Sequence, residues 1–414
     1  MNMEAVSLKD REILRALAAR KVALANCKRN EKILAMWHAQ AKGVRDTPPV
    51  RLLFSNFPKE VVTSRLRCEG ADARKLEARL LTSMVGRELF DDDTPISDRL
   101  EIPLFCGAYP FGARPNLLRS KDTIGFHIEP LTDDIEADFE IFCGGTFSAN
   151  RESTEAYCAW VDEIIGDILP TKITMNSLTG AITNPLVMLI NLETYYYSMY
   201  DAPEALHKIM DMATGVYERY YDYLEEKKLL LPTNDFSGVA QESFGFTDEL
   251  PSDGPICSTK QMWGFLESQE TTAVSPEMYG EFVYPYQERL VKRYGLLSYG
   301  CCERVDTIWE DYLSKWKNLR KLSVSPFNNE AQIGEYLRGS RVVYYSKPRA
   351  EFVTNPGPLD EEALKKYFRG VAESASGCLF EMAQREVGTI FGDFNRGKRY
   401  VEIAKETIEK YWKP

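Results

Sequence analysis

Histidine is scarce in this sequence. Three residues among 414 weigh against a metal centre or proton relay assembled from imidazoles alone. Clusters of lysine and arginine are missing too, and the net charge is −11. Binding a phosphate backbone needs grouped cations, so nucleic acid is not expected as the main partner. No run of about 18 or more apolar residues occurs, so no membrane-spanning helix is expected. The opening stretch, MNMEAVSLKDREILRALAARK, is charged and amphipathic and lacks the apolar segment of a secretion signal. No internal repeat or low-complexity segment is visible. Nine cysteines, an odd number scattered along the chain, read as reduced thiols of a cytoplasmic protein. Seven of them (Cys27, Cys68, Cys106, Cys143, Cys158, Cys257 and Cys378) read as small buried hydrophobes.

What is present suits a large folded core: 44% hydrophobic and 12% aromatic residues. Apolar residues recur at helical spacing over 4–44, and a Pro-Pro pair at 48–49 breaks the pattern. A short apolar run, RLLFSNF (51–57), precedes helical stretches at 58–67 and 71–88. The acidic DDDTP at 91–95 reads as a solvated turn. Residues 1–95 are therefore expected to form an N-terminal helical extension. From residue 100 short apolar strands alternate with longer helices. Strand patterns recur at 102–109, 122–131, 137–145, 172–180, 261–268, 296–302, 319–327, 341–349 and 377–387, and the last helix spans 395–412. Alternation of this kind over about 300 residues predicts an α/β fold, a (β/α)8 TIM barrel over 100–414. Residues 229–260 interrupt it. They are polar and rich in Gly and Pro, and a long insertion of this kind reads as a lid over the barrel mouth.

In such folds ligands collect at the carboxyl ends of the strands. Those ends carry the chemistry here. LLSYGCCERVD (296–306) begins as a buried strand and turns polar at Cys301, Cys302 and Glu303. Strict alternation would place Tyr299, Cys301 and Glu303 on one face and Cys302 on the other. Glu267, Gln269 and Glu270 end the preceding strand, and Lys347 follows VVYYS as a candidate for holding a carboxylate or phenolate oxygen. Gln384 and Glu386 close the last strand. A carboxylate at the end of an apolar strand is costly without a partner, which favours a site role for Glu267. A thiolate with one or two carboxylates is a competent Zn²⁺ donor set with a position left open for substrate. His38 and His207 read as structural residues on helices, and His127 as a core or surface residue.

The segments LTGAITNP (178–185), YDAPEALHKIM (200–210), SPEMYGEFVYPYQERLVKRYG (275–295) and LLSYGCCERVD resemble the uroporphyrinogen decarboxylase-like superfamily of barrels. The resemblance spans 100–414 and is strongest over 180–350. It implies either decarboxylation of a porphyrinogen or corrinoid-dependent methyl transfer, in which a barrel-bound zinc takes part. Cys301 matches the superfamily's zinc-binding cysteine, while Tyr299 stands in place of its histidine. The Arg-rich N-terminal motif of the decarboxylases is missing, and the corresponding regions read FSNFPKEVV and IPLFCGAYPFGARP.

The expected activity is therefore transfer of a methyl group from a small donor, such as an aryl methyl ether, to cobalamin carried by a separate corrinoid protein. The expected catalytic residues are Glu267, Tyr299 and Lys347. Gln269, Glu270, Asn176 and Gln384 are expected to meet substrate. Cys301, Glu267, Glu303 and Glu386 are expected to hold zinc, a Lewis acid on the ether oxygen. The alternatives are a decarboxylase of a polycarboxylated substrate and a non-catalytic accessory barrel.

Overall fold

The computed structural model describes residues 3–119, 126–239 and 241–414. Its strands are β1 (Val50–Leu52), β2 (Leu100–Pro103), β3 (Phe105–Tyr109), β4 (Asn116–Arg119), β5 (Phe126–Glu129), β6 (Thr146–Asn150), β7 (Thr171–Thr174) and β8 (Leu178–Thr179). The later ones are β9 (Gly238–Val239), β10 (Ser243–Phe244), β11 (Trp263–Leu266), β12 (Leu296–Tyr299), β13 (Leu319–Val324), β14 (Val343–Ser346) and β15 (Leu379–Gln384). Seven strands make one parallel sheet in the order β1-β15-β14-β13-β12-β11-β8. Helices connect β11 through β15, as parallel crossovers require. β2 pairs with β7 in a separate parallel ladder, and β7 leads into β8 after three residues. β3 with β6, and β4 with β5, form antiparallel pairs.

Four expectations change here. Among the described residues no ladder joins β1 to β2, so hydrogen bonding closes no eight-stranded ring. The reason lies in the acidic run expected to be a solvated turn. Asp92 and Asp93 are buried, and their carboxylates accept the Leu52 and Val50 backbone N–H groups at 3.2 and 3.0 Å. Side chains thus occupy the outer edge of β1 where a neighbouring strand would pair. β1 itself lies inside the stretch expected as a helical extension, yet it pairs with β15 in register Val50 to Met382. Two of the cysteines expected to be buried, Cys143 and Cys257, are exposed.

The two faces of the sheet differ. Leu297, Tyr299, Leu322, Val324, Tyr344, Phe380 and Met382 belong to the main apolar core shared with the helices. The opposite face carries Trp263 and Leu296, packed with Val239, then Lys321 and Glu381, and above them Tyr345 and Ala383 packed with Leu53. Burial of the first set drives the layers together, at roughly 25 cal/mol per Å² of apolar surface. The second set is partly polar and needs partners.

The 229–260 insertion supplies them. It connects helix Pro203–Glu226 to the start of β11 and therefore begins at the amino ends of the strands. Its antiparallel pair β9 and β10 runs along the inner face of the sheet. Trp263 Nε1 donates to Gly245 O at 3.0 Å, and Lys321 Nζ and Glu381 both bond Ser243 Oγ, at 2.6 and 2.7 Å. At the tip, Gln241 reaches the carboxyl ends: its Oε1 lies 3.1 Å from Lys347 Nζ and 3.4 Å from Cys301 Sγ. Polar residues that looked too hydrophilic for a packed element are thus consumed by the polar inner face. Helix Lys28–Ala41 covers the amino ends, with Trp37 against Phe244 and Phe246 and Gln40 donating to Phe380 O at 2.9 Å.

Lys321 and Glu381 form a 2.9 Å ion pair at 3% and 0% side-chain exposure. Removing one partner strands a buried charge, whereas replacing both with apolar groups does not. Glu381→Ala is expected to cost about 3–5 kcal/mol. The double variant Lys321→Met/Glu381→Leu should lie much closer to the parent. Urea unfolding of the three proteins measures both differences.

Candidate active site

The carboxyl ends of β11, β12, β14 and β15 bring together Glu267, Cys301, Cys302, Glu303, Lys347 and Arg385, with Gln241 entering from the hairpin. Gly300 sets the local geometry. Its φ of +99° lies where a side chain is strained, and an added Cβ would stand 3.1 Å from Ser323 Cβ. The extended run therefore stops at Tyr299, and strict alternation stops with it. Cys301 and Cys302 do not point to opposite faces; their sulfurs are 3.7 Å apart. Tyr299, still in register with the outward residues, bonds Ser268 Oγ at 2.9 Å and Tyr279 OH at 3.1 Å and packs edge-on to Trp316. It belongs to the sheet–helix layer, apart from the thiols it was expected to join.

The thiols are not equivalent. Cys301 is pushed up by its hydrogen bond to Cys302 and by burial. Cys302 is lowered, first by that hydrogen bond and then by the Lys347 ammonium. Of the two, Cys302 is the thiol whose ionisation these surroundings favour. Cys302 is half-buried and so open to a reagent, whereas Cys301 is buried.

The carboxyls also divide by environment. Glu267 is 5% exposed, and burial, then Glu270 and Glu303, hold its carboxyl well above the ordinary carboxylate range. Its Oε2 accepts Gln269 N–H at 2.9 Å. Burial raises Glu303 too, against opposing hydrogen bonds from Ser268 N–H at 2.8 Å and Cys301 N–H at 2.6 Å, one to each oxygen. Lys347 is 5% exposed and burial brings it down to about 8. Its donors meet Gln241 Oε1 and, at 3.4 Å, Cys301 O.

Several expected substrate residues have structural partners. Glu270 accepts from Thr183 Oγ1 at 2.7 Å and Asn184 Nδ2 at 2.8 Å, tying the end of β11 to helix Thr183–Asp201. Gln269 is half-buried in the short turn between Glu267 and Glu270. Asn176 accepts Gly238 N–H at 3.2 Å and so holds the stem of the hairpin. Gln384 is fully buried: its Nε2 bonds Pro348 O and Arg385 O, and Tyr400 of helix Phe394–Tyr411 donates to its Oε1. Strand parity aims it at the helix layer.

Of the four expected zinc ligands, Glu267, Cys301 and Glu303 lie near one another and Glu386 stands apart. Both Glu303 oxygens are occupied by backbone N–H groups, and Glu386 is exposed at the rim, accepting from Asn56 at 3.2 Å. Among the described residues no group of three or more His, Cys, Asp and Glu is placed to hold a metal ion. The histidines lie elsewhere: His38 against Phe246, His207 stacked on Phe282, and His127 exposed on β5. As arranged, these residues do not fit zinc.

Two site residues were not singled out from the sequence. Arg385 shares strand parity with Glu381 and Ala383, a signal that was available. Gln241 carried none, because only the path of the hairpin brings it in.

No family model matches the chain, and no curated protein matches it. Among solved structures it is similar to a methyltransferase from Methanosarcina mazei, at 14% identity and a TM-score of 0.52, over 90% of this chain and 98% of that one. At that identity the likeness is one of fold. Among the described residues no helix is long and apolar enough to cross a membrane.

The unequal thiols give a direct measurement. Iodoacetamide is expected to label Cys302 faster than Cys301, with a rate midpoint below the ordinary thiol range. Lys347→Met removes the neighbouring cation and should move that midpoint up. Peptide mapping across a pH series reads both; equal labelling of the two thiols would contradict the assignment.

Proposed function

We propose that this chain is a methyltransferase that takes a methyl group from a small donor, an ether such as an aryl methyl ether, at the carboxyl ends of β11–β15. The observation that carries the reading is Glu267, a buried carboxyl held in its acid form on a fold shared along 90% of the chain with a methyltransferase. We read the seven-stranded sheet with β2 and β7 as a (β/α)8 barrel whose seam lies between β1 and β2. The methyl acceptor is the cobalt of a corrinoid on a separate protein, which supplies a strong nucleophile when docked. The rim suits a large flat partner group: Phe327, after β13, is 65% exposed, and Phe391, after β15, is 52% exposed.

This chain's own residues account for the leaving group. When the carbon–oxygen bond of the donor breaks, its electron pair stays on oxygen. A bare alkoxide or phenolate is a poor product in a dry site. Glu267 delivers its proton to that oxygen and is left as the carboxylate, the role that a zinc ion was expected to fill as a Lewis acid. Gln287 Nε2 bonds Glu267 O at 3.0 Å and the Gln269 N–H holds Oε2, so the acid is fixed in place. Glu303 anchors Ser268 and Cys301 and keeps the ends of β11 and β12 together.

Glu267→Gln should keep the fold and lose about 10²–10⁴-fold in transfer, the usual worth of a positioned general acid. The assay mixes the protein with an aryl methyl ether and a reduced corrinoid protein and follows the corrinoid absorbance. Because the acid form is the active one, the parent rate should fall as pH rises through the elevated Glu267 value, and the residual rate of the variant should not. Stability follows the same sign. Above the ordinary carboxylate range the native protein holds a proton that the unfolded chain has released, so stability declines as pH rises through the folded-state value. Glu267→Gln should flatten that decline in urea midpoints. A variant that transfers at the parent rate would remove Glu267 from the mechanism.

A further inference from the structure

We propose that Lys347 and Arg385 form a binding site for the carboxylate of a small organic acid, on the inner face at the carboxyl ends of β14 and β15. The register of these strands pairs Ser346 with Met382. One step on, Lys347 comes level with Ala383, and Arg385 follows on the same face. The buried apolar trio Leu53, Tyr345 and Ala383 lies directly beneath. Lys347 Nζ stands 5.4 Å from the centre of the Tyr345 ring. Two cations above an apolar floor suit a ligand with a charged end and a hydrocarbon body.

The other buried cations of this interior have partners. Lys321 is paired with Glu381 at 2.9 Å, and Arg51 bonds Thr94 Oγ1 and Glu242 O and lies over the Phe244 ring. Lys347 and Arg385 are different. Among the described residues the Lys347 ammonium meets Gln241 Oε1 and Cys301 O, and both are neutral. Arg385 Nε is buried and has no hydrogen-bond partner among the described residues, and the carboxylate in ion-pair range among them is Glu386, 3.9 Å away and 57% exposed. Cys301, Cys302 and Glu303 act on Lys347 from the β12 side, but both Glu303 oxygens are already engaged.

Placing two like charges together away from water is costly unless an anion joins them. A carboxylate would accept from the Arg385 fork and from Lys347 at once, and charge-assisted bonds of this kind are the strong ones. The depressed Lys347 value agrees with this: burial is its main cause, and Arg385 adds to it. This inference deepens the methyl-transfer reading, and rests on it only in making the acid the methyl donor.

The test uses benzoate, with benzamide as its neutral counterpart, titrated calorimetrically into the whole protein. Benzoate is expected to bind one to one and benzamide about tenfold or more weakly. Arg385→Gln and Lys347→Gln should each weaken benzoate by about tenfold or more and leave benzamide unchanged. Arg385 is partly exposed, so its variant is the one expected to fold if the buried Lys347 variant does not. Failure of benzoate to bind, binding no tighter than benzamide, or binding unchanged in Arg385→Gln overturns the site. Benzoate carries no methyl group and the titration needs no corrinoid protein, so this result is independent of the transfer assay.

Discussion

Ser243 stands between Lys321 and Glu381, and that buried junction is what seats the hairpin inside the sheet. Without it the inner face would hold an ion pair and two large indole and phenol rings around an unfilled centre. With it, β9 and β10 occupy the space and the tip is carried to the strand ends. The seating has a cost in backbone conformation. Gln241 and Glu242 have φ values of 54° and 67°, a region that disfavours residues with a Cβ by roughly 1–2 kcal/mol each. Strain of this kind persists only where the surroundings hold it. Here the hold comes from the bonds to Gln241 O from Tyr345, to Glu242 O from Arg51, and to Gln241 Oε1 from Lys347.

The chemistry at the strand ends follows from desolvation more than from any single contact. Burial is the first cause of the shifts at Glu267, Glu303 and Lys347, and it disfavours the charged form in each. The result is a carboxyl whose acid form is favoured, a lysine brought toward neutrality, and a thiol pair whose two members are shifted in opposite directions. Groups whose values are pushed apart in one small volume are suited to acid–base work. Glu303 shows the limit of that argument. It is as buried as Glu267, yet its oxygens are spent on backbone N–H groups, so its role is to join two strand ends.

Much of the layout was legible in the sequence. The strands at 263–266, 296–299, 319–324, 343–346 and 379–384 fall inside the apolar runs read from it. Ser275 caps the helix Pro276–Phe282. Glu267, Cys301 and Lys347 stood out as polar residues ending apolar strands, and the structure brings them near one another. The failures share a cause. Tyr299, Gln384 and Cys302 were placed by assuming unbroken alternation or by composition alone. Gly300 breaks the alternation for the thiols, while Tyr299 and Gln384 obey it and so face the helices.

The sequence by itself determined the α/β alternation, the strand ends and the residue types collected there, because hydrophobic periodicity and polar punctuation are local. Only the tertiary structure decided that β1 joins the sheet and has its far edge capped by Asp92 and Asp93. It alone decided that 229–260 enters from the amino ends and that Glu303 and Gln384 are structural. Each of these depends on a partner distant in the chain: Asp92 on Leu52, Ser243 on Glu381, Glu303 on Ser268, Gln384 on Tyr400. Which distant polar group satisfies a buried one is a matter of three-dimensional proximity, and no local pattern encodes it.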